Sequence, residues 1–84
     1  MKLTVKFFAS LREALGPQLA LELPGSASTV TLVRQALMAR GEPFESQLAP
    51  GRAVRAAVNQ QLADDAALLQ DGDELAFFPP VTGG

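Results

Sequence analysis

One stretch of this chain, and only one, has the apolar spacing of a helix longer than two turns. Its apolar side chains recur at Val30, Val33 and Leu37, which places them on one helical face. Thr29 precedes the stretch as a good N-cap, and Gly41 is suited to the C′ position beyond its last turn. We therefore predict one main helix of about ten residues, whose apolar face must be buried against a sheet.

Most other apolar residues alternate with polar ones, as in strands that bury one face. The predicted strands run from Lys2 to Phe8, Leu19 to Leu23, Val54 to Val58, Gln61 to Ala63 and Glu74 to Phe78. The residues before the last two strands favour turns, and they are Asn59-Gln60 and Asp71-Gly72-Asp73.

Two shorter segments complete the predicted elements. Ser10 to Leu15 has the spacing of one or two helical turns, with Ser10 as N-cap. Phe44 and Leu48 can pin a short turn to the core. One main helix, one or two short helices and a mixed sheet of four or five strands, with the first and last strands paired centrally, predict an α+β fold of the β-grasp type. A ferredoxin-like α+β fold is the alternative, but it needs a second long helix, and Asp64 to Gln70 is too short and too polar for one.

The composition excludes several classes of function. With no cysteine and no histidine among 84 residues, the chain lacks the residues of a disulfide framework, a zinc finger, a catalytic triad or an imidazole metal site. A net charge of −2 argues against binding to nucleic acid or to an anionic membrane. Because no apolar run of about 20 residues occurs and no signal-peptide pattern opens the chain, we expect a soluble, cytoplasmic protein.

Two small acidic clusters are the other ionisable groups that could form a site. Asp64 and Asp65 form the first, and Asp71, Asp73 and Glu74 form the second. Carboxylates alone would give a weak, oxygen-ligated cation site without a closed set of ligands. We therefore interpret both clusters as turn and surface residues, and we expect no metal and no bound cofactor in this chain.

The last six residues are the most unusual part of the sequence. Pro79 and Pro80 end the last strand, because proline offers no donor to a sheet, and they divide a β-grasp domain (1–78) from an extended tail (79–84). Gly83 and Gly84 have no side chains, so the tail could enter a narrow channel and present its carboxylate to another protein's active site. The alternative is a frayed terminus or the remnant of an expression tag.

Strand periodicity predicts an exposed surface beside the tail. If Phe7 and Phe77 face the core, their chain neighbours Phe8 and Phe78 face outward. Where the first and last strands pair, the two outward rings would form an aromatic patch. Contiguous exposed apolar surface suggests a docking site, unless a loop or a twist at the strand end covers one ring.

Three segments carry a resemblance to a known family. The run from Asp71 to Gly84, which reads DGDELAFFPPVTGG, resembles the characteristic end of the small, sulfur-carrying subunit of molybdopterin synthase. Val5 to Leu15 and Ala56 to Gln60 are similar to that family's N-terminal strand and turn and to its middle hairpin. The match spans nearly the whole chain and is weakest over 18–25 and 41–52.

The resemblance implies a ubiquitin-like β-grasp fold and a chemistry carried out with partners. From the resemblance, we expect an E1-like enzyme to use ATP to adenylate the carboxylate of Gly84, which follows Gly83, and the carboxylate then to become a thiocarboxylate. The tail is expected to enter the active site of the large synthase subunit, in a heterotetramer of two small and two large subunits. There, by the same resemblance, sulfur would pass to cyclic pyranopterin monophosphate. This chain alone is expected to catalyse no reaction.

The resemblance also implies which residues contact the partners. They are Phe8, Leu62 and Phe78 on the surface and Pro79, Pro80, Val81 and Thr82 in the tail. Leu62 is implied by the resemblance alone. Two other functions stay open: a sulfur carrier of thiamine thiazole synthesis or of another thiolation pathway, and a ubiquitin-like binding module that would still function without its last two glycines.

Overall fold

The computed structural model describes residues 1–80 of the chain. The helices are α1 (Ala9–Leu15), α2 (Val30–Met38) and α3 (Phe44–Gln47). The strands are β1 (Lys2–Phe7), β2 (Gln18–Glu22), β3 (Ala27–Thr29), β4 (Arg55–Val58), β5 (Gln61–Ala63), β6 (Leu68–Gln70) and β7 (Glu74–Phe78).

Five of these strands form one mixed sheet in the order β2-β1-β7-β4-β5. The first and last strands of the chain, β1 and β7, are parallel neighbours at its centre. β2 pairs antiparallel with β1, and the β4–β5 hairpin pairs antiparallel with β7. The predicted mixed sheet with central pairing of the first and last strands is confirmed, and with α2 it makes a β-grasp.

The main helix forms where its sequence predicts it, and one face of it lies in the core. Thr29 is the N-cap, and its hydroxyl oxygen accepts a hydrogen bond from the Leu32 N–H at 3.2 Å. The three apolar residues that define the helical spacing are fully buried, in one cluster with the inward side chains of β1 and β7. In that cluster the rings of Phe7 and Phe77 stack with centroids 6.3 Å apart, and the ring of Phe44 lies 6.3 Å from Phe7.

Two short strands were not predicted. β3 and β6 pair antiparallel in a separate two-stranded sheet, in which Ser28 lies opposite Leu69. Leu69 is fully buried and belongs to the core. Segments of three residues are too short to show the alternation that identifies a strand, so the sequence pattern did not reveal either strand.

The start of α1 also differs from the prediction. The N-cap is Phe8, which makes no side-chain capping bond, so Ser10 is wrong as the cap. The Phe8 backbone is still extended, but β1 ends one residue before it. Its carbonyl oxygen accepts from the N–H groups of Leu11 and Arg12, so the helix starts directly from the end of the strand and has no room for a separate cap.

Both predicted turns are present, and their backbones show why. Asn59 and Gln60 have positive φ values of 49° and 69°, the pattern of a type I′ two-residue hairpin turn. In the turn before β7, Gly72 has a φ of 88°, which glycine adopts without a steric penalty.

Candidate docking face beside the tail

The outer face of the five-stranded sheet brings the two outward phenylalanines together. Phe7 lies opposite Phe77 in the parallel β1–β7 register. One residue further on, the Phe8 N–H donates to the Phe77 carbonyl at 3.1 Å, which holds Phe8 beside the end of β7 and next to Phe78. Phe8 is 45% exposed and Phe78 is half-buried, whereas Phe7 and Phe77 are each 1% exposed. The predicted division between core and surface rings is therefore confirmed.

Leu62 lies on the same face, two strands away from β7. It is opposite Ala57 of β4, and Ala57 is opposite Ala76 of β7. The small side chains of the two alanines form the surface between the two phenylalanines and Leu62. The side chain of Leu62 is 68% exposed. We call the five residues of this surface the open-face patch: Phe8, Ala57, Leu62, Ala76 and Phe78.

Ala76 is more buried than its outward direction suggests. It faces outward with Phe78, as strand parity predicts, yet it is only 7% exposed. β7 has a neighbour on each side, and a side chain as small as a methyl group is covered by the longer residues around it. The residue therefore contributes the floor of the patch.

A charged pair borders the patch. The Lys6 ammonium lies 2.9 Å from the Glu74 carboxylate, and both side chains are partly exposed on the outer face. An ion pair in this position adds little stability. It forms a polar edge to an apolar centre, which is the usual arrangement in protein interfaces.

The tail begins next to this surface. Pro79 and Pro80 directly follow Phe78 and are half-buried. The four remaining residues of the predicted tail site, Val81, Thr82, Gly83 and Gly84, lie outside the described residues.

A groove lies at the open end of the β4–β5 hairpin, with a volume of about 570 Å³. Its lining includes Leu62 from the open-face patch and Pro80 from the start of the tail. The other lining residues are Ala53, Val54, Arg55, Ala56, Ala63, Asp64 and Asp65. The two aspartates are surface residues, as predicted. The groove itself is not predictable from the sequence pattern, because its two walls come from segments joined only by the hairpin.

A polar cluster ties the turns together at the other end of the hairpin. The Asp73 carboxylate accepts from the Gln70 N–H at 2.9 Å and from the Asn59 side-chain amide at 3.1 Å, and the Asn59 side-chain oxygen accepts from the Glu74 N–H at 3.0 Å. The backbone donor and then the amide donor hold the pKa of Asp73 below its ordinary value of 3.8. The cluster is structural, because the two Asn59 bonds join the turns at its ends and the Gln70 bond closes the turn before β7.

Residues 1–80 lack two other kinds of structural feature. They contain no group of three or more carboxylate, histidine or cysteine residues placed to hold a metal ion. No helix in that part of the chain is both long enough and apolar enough to cross a membrane. The candidate functional site is the open-face patch together with the start of the tail, which the β1–β7 register places side by side.

Known proteins match this chain in sequence over nearly its whole length. The family model described as the ThiS family matches residues 5–84. The molybdopterin synthase sulfur carrier subunit of Escherichia coli is 45% identical over 80 residues, which cover 95% of this chain and 96% of the relative.

Two solved structures extend the likeness to the fold. The crystal structure of SAMP1 from Haloferax volcanii is 30% identical, with a TM-score of 0.80 and full coverage of both chains. A protein–protein complex of subunits 1 and 2 of the molybdopterin-converting factor from Helicobacter pylori contains a chain that is 25% identical, with a TM-score of 0.69 and full coverage of both chains.

Proposed function

The chain belongs to the ThiS family, and we propose that it is the sulfur carrier subunit of a molybdopterin synthase. The observation that carries this proposal is the 45% identity to a subunit of that name over nearly the full length of both chains. The terminal Gly83-Gly84 supports it, because the match includes the residues that would carry the sulfur.

The proposed chemistry starts at the Gly84 carboxylate. A carboxylate is a poor acyl donor, because an oxygen anion is a poor leaving group. In the active site of an E1-like enzyme, a carboxylate oxygen attacks the α-phosphorus of ATP, and pyrophosphate leaves. Sulfide, as HS⁻ from a sulfur donor, then attacks the acyl carbon, AMP leaves, and loss of the S–H proton gives a thiocarboxylate on Gly84. ATP belongs to the activating enzyme, and its use supports a cytoplasmic reaction.

The tail delivers the sulfur to a second protein. Pro79 and Pro80 favour an extended backbone as the chain leaves β7. Gly83 lets the backbone pass close to the walls of a channel. In the large subunit, the thiocarboxylate sulfur would be transferred to cyclic pyranopterin monophosphate. This chain supplies the sulfur atom and its position, and the large subunit supplies the catalytic groups of the synthase, for which we propose a heterotetramer.

The open-face patch is the proposed docking surface for both partners. Interface energy concentrates in a few large apolar or aromatic side chains surrounded by polar residues. Phe8, Leu62 and Phe78 are such side chains, and the Lys6–Glu74 pair lies at their edge. The Helicobacter pylori structure supports a protein partner, because it holds a related chain in a complex with a second subunit.

A reconstituted reaction tests this function. The chain is first loaded with sulfur, then mixed with the large subunit and cyclic pyranopterin monophosphate, and molybdopterin is measured. We expect product from the loaded chain and none from a variant that lacks Gly83 and Gly84. Equal product from both would support the binding-module alternative instead.

The family match also includes the thiamine alternative, since the family bears the name of a thiamine-pathway protein. The same loaded chain is therefore offered to a thiazole synthase. Sulfur transfer there, together with no molybdopterin in the first reaction, would assign the chain to thiamine synthesis.

A further inference from the structure

We propose that the groove at the open end of the β4–β5 hairpin binds an arginine or lysine side chain of the large subunit that receives the tail. This inference rests on the proposed function and adds a second, charged contact to the apolar open-face patch. Three features of the groove support it: its position, its charge and the hydrogen bonds made by its acidic residues.

The groove continues the proposed docking surface. Leu62 forms part of its wall and also belongs to the open-face patch, and Pro80 at its rim begins the tail. A protein that covers the patch while the tail enters its active site must therefore pass over the groove. With a volume of about 570 Å³, the groove has room for one long side chain together with the water around it.

The chemistry of the lining selects a long cation. The lining combines the apolar residues Val54, Ala56 and Ala63 with the acidic residues Asp64 and Asp65, both of which are exposed. The third charged residue of the lining is Arg55, so the groove carries a net charge of −1. Arginine and lysine place an aliphatic stem against apolar surface and a charged head beyond it, which fits a lining that combines apolar and acidic residues.

The carboxylates of the groove have no cationic partner within the described part of the chain. The salt bridge found within residues 1–80 joins Lys6 to Glu74 on the outer sheet face, and it involves neither Asp64 nor Asp65. A partner's cation would therefore meet two carboxylates without having to break an existing ion pair.

The Asp64 side chain and the Asp65 backbone are held in place before any partner binds. Asp64 accepts a hydrogen bond from the Ala66 N–H at 3.0 Å through one carboxylate oxygen, which leaves the other oxygen for a partner. The Asp65 carbonyl accepts from the Thr31 N–H at 3.0 Å and from the Thr31 hydroxyl at 2.9 Å, so its backbone is tied to the first turn of α2. Groups ordered in advance cost less entropy on binding.

The test is a titration of the large subunit with two double variants at low and at physiological ionic strength. In Asp64→Asn/Asp65→Asn the side-chain shapes and the turn acceptor of Asp64 are kept, and two charges are lost. Its dissociation constant should be about tenfold higher than that of the wild type at low salt, with a weaker dependence on salt. The matched control is Glu13→Gln/Glu22→Gln, which removes two exposed charges on α1 and β2, outside the groove, and it should bind like the wild type.

Each outcome decides between the two proposals. If the wild type binds and the groove variant binds with the same affinity and salt dependence, or if both double variants weaken binding equally, the groove assignment is wrong and the proposed function stands. If the wild-type chain does not bind the large subunit, the proposed function itself fails. Sedimentation of the chain alone tests whether a second copy of the chain occupies the groove instead. A dimer that is abolished both by salt and by Asp64→Asn/Asp65→Asn would place a second copy there and overturn this inference.

Discussion

At the scale of single residues, chain neighbours have opposite roles. Phe7 and Phe77 are buried in the core, whereas Phe8 and Phe78 contribute to the open-face patch. The period of two along a strand causes this division, and the parallel pairing of β1 with β7 brings like residues together. In each pair of chain neighbours, one phenylalanine therefore stabilises the fold and the other belongs to the proposed docking surface.

Alanine substitutions should separate these two roles. Phe7→Ala and Phe77→Ala each remove a buried ring, at a typical cost of about 3–5 kcal/mol. That cost is comparable to the whole stability of so small a domain, which we expect near the low end of the range of about 5–15 kcal/mol for folded proteins. Both variants should be largely unfolded or close to it. Phe8→Ala should fold normally. Phe78→Ala should stay folded and lose less free energy of unfolding than the two core variants, because its ring is only half-buried.

The two surface variants should instead lose partner binding. At an interface hot spot the loss is about 2 kcal/mol or more, which raises the dissociation constant roughly thirtyfold. Chemical denaturation and titration of the large subunit, carried out on all four variants, measure both properties. A result in which Phe8→Ala and Phe78→Ala are the unstable pair while the other two fold normally would contradict the proposed surface.

Asp73 should make the stability of the protein depend on acid pH. Its pKa is lower in the folded protein than its ordinary value of 3.8, because the Gln70 N–H and the Asn59 amide donate to the charged form. A lowered folded pKa means that the stabilisation is complete above the ordinary pKa and is lost as the pH falls through the folded value.

Comparison with Asp73→Asn isolates this effect. The variant has one acceptor oxygen in place of two, so it should be less stable than the wild type at neutral pH. Denaturation measured from neutral pH to about pH 2 should show this difference in unfolding free energy shrinking below about pH 4. A difference that stays constant over the whole range would show that the charge of Asp73 has no part in it.

At the scale of elements, the length of a sequence pattern decided what could be predicted from it. The spacing that defines α2 extends over several turns, and the threonine before it caps the helix as expected. β3 and β6 have three residues each, which is too short for alternation to be recognised.

Spacing also places Arg34 on the polar side of α2. Its guanidinium instead donates to the carbonyls of Leu48 and Ala49 at 2.6 and 2.8 Å, a long-range contact that periodicity does not contain.

The β4–β5 turn should be improved by one substitution. Gln60 has a φ of 69°, a conformation that costs a residue with a side chain roughly 1–2 kcal/mol. Gln60→Gly removes this cost, but glycine gives the unfolded chain more conformational entropy, which disfavours folding by about 0.4–1 kcal/mol. The free energy of unfolding should therefore rise by about 0.5 kcal/mol. In a domain of this size that gain raises Tm by about 2–4 °C.

Gln61→Gly is the matched control for this turn. It places the same substitution one residue later, inside β5, where glycine weakens a strand, so Tm should fall. Thermal unfolding of both variants is the measurement. If Gln60→Gly lowers Tm as much as its neighbour does, the turn does not have the strained backbone described here.

At the scale of the whole molecule, the order of elements was enough to predict the β-grasp. One main helix between two groups of strands can cover only one face of the sheet, and the central pairing of β1 and β7 leaves Phe8, Phe78 and the start of the tail on neighbouring strand ends. The groove could not be predicted in this way, because Ala53 and Asp65 meet across it only when the hairpin has formed.

Gly83→Val should separate the tail from the domain. Because the globular domain is predicted to end at residue 78, the substitution should leave thermal unfolding unchanged. We expect it to slow sulfur loading and transfer severely, since a branched side chain would obstruct a channel that fits a bare backbone. Parallel losses of stability and activity would instead mean that the tail contributes to the fold.

The central claim is that Gly84 carries the sulfur, and mass spectrometry tests it directly. The chain is incubated with ATP, the activating enzyme and a sulfur donor, and then digested. The account predicts a mass gain equal to the exchange of one oxygen for one sulfur, located in the C-terminal peptide and absent when a tag follows Gly84. Sulfur found on any other peptide, or on the tagged chain, would contradict it.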